Sequence, residues 1–84
     1  MRSSLISKIE KAKRYARERD RITVTSISVQ FRGEHGSYVT QYKDGEWSCT
    51  CNFFPTWKTC SHVMALQKIL GQMLPEEARP SFEL

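Results

Sequence analysis

The sequence predicts a small α+β domain in which an N-terminal helix is followed by a three-stranded antiparallel sheet and a C-terminal helix. Three observations carry that prediction. The chain opens with a long amphipathic stretch free of Pro and Gly. A run rich in β-branched residues follows, leading to an Asp-Gly pair of the kind that closes hairpins. Between positions 49 and 62 the chain then places its three cysteines and one of its two histidines, a set able to organise what a core of this size cannot. With 84 residues the chain has room for one domain, and domains this small bury a smaller fraction of their unfolded surface, so the core alone is marginal and help is expected from a metal, a disulfide or a partner.

From Ser3 to about Arg19, Leu5, Ile9, Ala12 and Ala16 recur at helical spacing, giving a narrow apolar stripe. Ser3 or Ser4 is placed to cap the helix, and Glu10 stands four residues before Arg14, the favourable order for an ion pair. Residues 22–31 alternate apolar and polar as a half-buried strand does. The phase slips once: Ile22 and Val24 are even, whereas Ile27, Val29 and Phe31 are odd, so a bulge or bend is expected near Thr25-Ser26. The segment Arg32-Gly33-Glu34-His35-Gly36 reads as a turn, with His35 a solvated polar residue.

Ser37–Tyr42 forms the second strand, and Asp44-Gly45 suits a type I′ turn, whose two central residues both need positive φ. The third strand begins at Glu46 or Trp47. Period-two alternation puts Trp47, Cys49 and Cys51 on one face. Asn52–Thr59 is a loop carrying Phe53, Phe54, Pro55 and Trp57. A helix capped by Thr59 or Ser61 then runs from Ser61 to Leu70 or Met73, with Val63, Leu66, Leu70 and Met73 as its apolar stripe and Gly71 and Pro75 to end it. At most one short turn is expected beyond it, and a loose end. The expected organisation is a basic helix over 1–21, a metal-organised domain over 22–74 and a short tail over 75–84.

Cys49, Cys51, Cys60 and His62 form a Cys₃His set, the donor chemistry that Zn²⁺ takes in closed, tetrahedral structural sites. One pair comes from a strand end and the other from a loop entering a helix, so one ion would pin the hairpin to the helix. An odd cysteine count does not pair fully within one chain, and it fits a reducing, intracellular setting, such as cytoplasm, nucleoid or nucleus. No stretch has the length or apolarity of a membrane span. Coordination occupies all three thiols, which leaves no free thiolate for nucleophilic or redox work, and no other catalytic arrangement stands out, so the chain is not expected to be an enzyme. Trp47, Phe53, Phe54 and Trp57 could stack on bases, but aromatics around a metal loop serve first to shield the ion and fill a thin core, which is the role expected of them.

The pattern Cys-x-Cys, eight residues, Cys-x-His, preceded by a hairpin and continued by His62-Val63-Met64-Ala65, resembles the SWIM zinc finger over about residues 22–73. That resemblance implies a β-β-α arrangement with Cys49, Cys51, Cys60 and His62 as zinc ligands. It also implies a DNA-binding or protein-interaction role, since the family occurs in chromatin-remodelling ATPases, transposases, transcription factors and recombination accessory proteins.

Charge indicates where a partner would bind. The net charge is +4, but residues 1–21 carry eight basic against three acidic side chains, while the rest carries five against six. The whole excess therefore lies on the first helix. This predicts electrostatic contact of Lys8, Lys11, Lys13, Arg14, Arg17 and Arg19 with DNA or RNA phosphates. The alternative is an adaptor in which the same helix, or an exposed strand edge, docks on a larger protein and zinc only supports the fold.

Overall fold

The computed structural model describes residues 2–80, with the side chain of Arg2 left aside. Its order is α1 (Arg2–Arg17), a 3₁₀ turn (Arg19–Arg21), β1 (Ile27–Arg32), β2 (Ser37–Lys43), β3 (Glu46–Cys49), α2 (Phe54–Trp57) and α3 (Ser61–Leu70), then 3₁₀ turns at Gly71–Met73 and Glu76–Ala78. This is the predicted α+β architecture, with the single sheet in the order β1-β2-β3 and both pairings antiparallel.

The hairpin closes as its sequence requires. Asp44 and Gly45 have φ of 53° and 80°, and Lys43 pairs with Glu46 across the turn. The register then sets Thr40 opposite Cys49 and Tyr42 opposite Trp47. Along β1 the expected alternation holds, with Ile27, Val29 and Phe31 half-buried and their neighbours exposed.

The phase slip has a different resolution from a bulge. The strand starts only at Ile27, and residues 22–26 form an irregular approach. Along it the Val24 N–H donates to the Met73 carbonyl at 2.7 Å, and Val24 packs against Tyr42, Leu74 and Ala78. Backbone pairing with the end of the C-terminal helical segment replaces pairing within the sheet.

Two small clusters make up the core. One is Cys49, Cys51, Cys60 and Val63, with Tyr38, Trp47 and Phe54 against it. The other is Tyr42, Leu74 and Ala78, flanked by Val24, Ile27, Trp47 and Leu70. Trp47 thus bridges both. The first cluster contains three of the four candidate metal ligands, so this half of the core consists largely of the site itself.

Several expectations need correction. Ser3 and Ser4 lie inside α1, which begins at Arg2, rather than capping it. Glu10 approaches Lys13 at 3.9 Å, both side chains about two-thirds exposed, in place of Arg14, a contact worth little in water. Neither Thr59 nor Ser61 caps α3: Cys60 occupies that position with extended backbone. Gly71, with φ of 50°, ends that helix, as expected. Beyond Pro75 the one short turn expected is the 3₁₀ turn at Glu76–Ala78, and the end expected to be loose lies past residue 80, outside the described residues. Ala78 is 1% exposed, and its carbonyl accepts hydrogen bonds from Trp47 Nε1 and Gln67 Nε2, each at 3.0 Å.

α1 stands apart from this body. Every side chain described on it is exposed, and the described residues span 54 × 27 × 23 Å with a radius of gyration of 16.2 Å. A compact chain of this length has a radius near 12 Å. The helix is tied to the following turn through Tyr15, over whose ring Arg14 and Arg21 lie at 5.6 and 5.0 Å.

Candidate metal centre

The hairpin register begins the site. Residues two apart on an extended chain face the same side, and on β3 this puts Trp47 and Cys49 inward, half-buried and buried, with Ser48 outward. The ladder does not end abruptly at Cys49. The Thr50 N–H donates to the Val39 carbonyl at 3.2 Å, and the Val39 N–H donates to Thr50 Oγ1 at 3.1 Å. This clamp holds the extended path one residue further, so Cys51 arrives on the inner side and is buried.

The second pair comes from the start of α3. Cys60 is the N-cap, and the helix places His62 two residues on, over the sheet. The His62 ring sits beside the Phe31 and Tyr38 rings, with centroids 4.8 Å away in each case. The rings of β1 and β2 therefore set the orientation of the imidazole. Gly33 faces its far edge: a Cβ at this position would lie 3.0 Å from Nε2.

Held this way, His62 turns Nδ1 inward, 3.6 Å from Cys49 Sγ and 3.7 Å from Cys60 Sγ. The ligand atoms of Cys49, Cys51, Cys60 and His62 all lie within 4.8 Å of one another. With Zn–S bonds of about 2.3 Å and Zn–N bonds of about 2.0 Å at tetrahedral angles, sulfur and nitrogen stand about 3.5 Å apart and two sulfurs about 3.8 Å. The four side chains are thus spaced to hold a tetrahedral metal ion such as zinc. Outside them, the Thr40 hydroxyl lies 3.4 Å from Cys49 Sγ. Thr40 is itself fully buried, and such outer contacts hold ligands in place.

The thiols do not share one environment. Burial pushes Cys51 up, but hydrogen bonds from the Phe54 backbone, His62, Cys60 and the Phe53 backbone outweigh it and bring the thiol down to about 6. Burial, against the opposing Val63 and His62 backbone amides and with Cys51 and Cys49 adding to it, pushes Cys60 up to about 12. One sulfur is therefore available as thiolate near neutrality. Another holds its proton until a cation displaces it, so metal binding releases protons.

Residues 52–59, expected as a loop, contain the short helix α2. Its Lys58 N–H donates to the Phe54 carbonyl at 2.7 Å, and Pro55 stands in its first turn, where a missing N–H costs nothing. The turn divides the aromatics. Phe54 and Trp47 pack against the cysteine cluster, which is the expected shielding role. Phe53 and Trp57 do not: they are 53% and 65% exposed.

The tentative nucleic-acid residues lie elsewhere. Lys8, Lys11, Lys13, Arg14 and Arg17 are exposed on α1 and Arg19 on the turn after it. None belongs to the cysteine-histidine group. His35, also exposed, lines an open hollow of about 630 Å³ beside His62 and stands outside the ligand set. Among the described residues no helix is long and apolar enough to cross a membrane. The chain matches no family model, no curated protein and no solved structure.

Proposed function

We propose that the chain is a small SWIM-type zinc module that binds nucleic acid, DNA or RNA, as an accessory protein, with structural zinc at Cys49, Cys51, Cys60 and His62 and a cationic contact surface on α1. The observation that carries the nucleic-acid reading is the isolation of that helix. It presents five exposed cations, from Lys8 to Arg17, away from the body of the domain, with only Glu10 as an acidic residue within its bounds. A cationic rod whose charges are exposed, with only the weak Lys13–Glu10 contact and Arg14 over Tyr15 within the helix, can follow a phosphate backbone and release its counterions. The metal supports the fold, and with all three thiols coordinated the domain is not an enzyme. Changing Lys11, Arg14 and Arg17 to Glu is expected to abolish mobility shifts of DNA and RNA. Single neutral substitutions should each lower the salt slope by about one. Unchanged mobility shifts in the triple variant would sink this reading.

A second reading, a zinc-supported adaptor for a larger protein, is favoured by one specific feature. Leu5, Ile6 and Ile9 on α1 are 61%, 57% and 45% exposed, forming an apolar stripe that phosphate contact leaves unused. If that reading holds, Leu5→Ser with Ile9→Ser abolishes association with the partner while nucleic-acid affinity stays at background.

A further inference from the structure

Phe53 and Trp57 form a stacked pair on the outside of the metal loop. Their ring centroids are 5.9 Å apart and their planes differ by 15°. The geometry follows from α2, where the Trp57 N–H donates to the Phe53 carbonyl at 3.3 Å. One helical turn separates the residues and sets their side chains one above the other. Phe53 and Trp57 nevertheless stay 53% and 65% exposed.

Exposing two large aromatics forgoes burial that would stabilise a thin core, yet α2 packs half-buried Phe54 against the cysteine cluster and turns these two outward. The residue that ends the turn is also unusual. Lys58 has φ of 59° and ψ of 19°, a left-handed position that glycine takes at lower cost. A cation, itself exposed, thus follows the exposed tryptophan at a position where the backbone favours glycine.

We propose that the Phe53–Trp57 pair is a stacking platform for an unpaired base of a single-stranded nucleic acid, with Lys58 beside it for the backbone phosphate. This rests on the nucleic-acid reading above and narrows it to single strands. Three features select a base over an apolar protein segment. The rings are near-parallel, so the pair presents flat faces to a flat ligand. Trp57 stands outside the hollow beside the metal loop, whose wall includes Phe53, so the pair is an open surface rather than a cleft for a side-chain knob. Finally, the adjacent charge is positive. Stacking on exposed rings suits any base, whereas in a duplex the faces of the bases are already occupied. Cys51 and Cys60 flank α2, so a bound metal would hold the platform from both ends.

The test uses the zinc-loaded full chain and a short oligothymidine, with a duplex of equal length for comparison. Trp57 is exposed whereas Trp47 is half-buried and hydrogen-bonded, so fluorescence quenching that Trp57→Leu removes reports contact at Trp57. The expected result is saturable quenching by the single strand and not by the duplex. Trp57→Leu and Phe53→Leu should each weaken binding roughly 5- to 150-fold at fixed salt, and Trp57→Phe should recover most of that loss. Zinc content and circular dichroism should match the parent in all three.

If both Leu variants bind as the parent does while α1 charge reversal abolishes binding, stacking is overturned and the helix reading stands. If the Leu variants lose binding while the charge-reversed helix keeps it, the platform stands and the helix reading fails. Absence of binding to every nucleic acid overturns both. Quenching by an apolar helical peptide and none by oligothymidine would assign the rings to a protein partner and overturn the proposal.

Discussion

Trp47 and Gln67 donate to the same acceptor: the indole Nε1 and the carboxamide Nε2 each reach the Ala78 carbonyl at 3.0 Å. The sheet, α3 and the C-terminal segment are joined at that oxygen. Gln67 is buried, and its Oε1 has no partner, a cost that offsets part of what its Nε2 contributes. Removing one donor leaves the carbonyl satisfied by the other. We expect Trp47→Phe to cost about 1 kcal/mol through the lost hydrogen bond, and Gln67→Leu to be neutral to within about 1 kcal/mol because it also removes the orphaned oxygen. The double variant should lose about 1–3 kcal/mol beyond the sum, since a buried carbonyl is then unpaired. Urea unfolding of the zinc-loaded protein measures the cycle, and strict additivity would show that the shared acceptor does not couple the two.

Removal of the metal should loosen the hairpin-helix unit, because the ligands are also much of one core cluster. A strong chelator, or Cys60→Ala, is expected to lower and broaden the thermal melt, and the untreated parent should hold one zinc per chain. Thermal melting indifferent to demonstrated metal loss would rule out a structural ion.

Gly33 should be sensitive to substitution through His62. A methyl at Gly33 would stand 3.0 Å from Nε2, and the imidazole, packed beside the Phe31 and Tyr38 rings, must shift to admit it. Gly33→Ala is expected to weaken metal affinity about 10-fold, the lower end for lost support of a ligand. Competition with a chromophoric chelator reads this directly, and an affinity equal to the parent's in Gly33→Ala would show that the ring moves aside without loss.

In the metal-free protein the thiols predict a bell-shaped pH dependence of stability. Cys51 is depressed from 9.0 to about 6, so its contribution is fully present above pH 9 and is lost as pH falls through about 6. Cys60 is raised from 9.0 to about 12, so its contribution is present below pH 9 and is lost as pH rises through about 12. Together they place the optimum of these two terms near pH 9. Residual structure of the metal-free chain, followed by circular dichroism across this range, checks the shape, and alkylation at neutral pH should mark Cys51 before Cys60.

The sequence carried the hairpin and the donor set most clearly, because each depends on a local rule. Asp44-Gly45 needs only its own backbone preference, and the spacing from Cys49 to His62 already implied that strand and helix must meet. What it did not reveal depends on distant partners. Val24 bonds to Met73, and Ala78 accepts from Trp47 and Gln67, and neither pairing leaves a periodic trace in the chain. In the sequence Trp47, Phe53, Phe54 and Trp57 form one group, because composition does not tell the two sides of a turn apart. Only the helical geometry of α2 separates half-buried Phe54 from exposed Phe53 and Trp57.

α1 should be separable from the metal domain. Its described side chains are exposed, so deletion of residues 2–17 is expected to leave zinc stoichiometry unchanged and to shift the stability of the zinc-loaded domain by less than about 0.5 kcal/mol, as substitutions away from a core do. A large loss of melting temperature would mean that the helix folds back on the domain.

The four ligands fall between positions 49 and 62, and this short span bears on the timing of assembly. A loop of about ten residues closes in about 10–100 ns, and a hairpin forms in about 1–10 μs. Chain diffusion thus brings the thiols and the imidazole together many times before a scarce ion arrives. With a metal such as zinc at this site, the slow step in this half of the molecule would be its delivery, and the folding rate should rise in proportion to free metal until the chain's own motions become limiting.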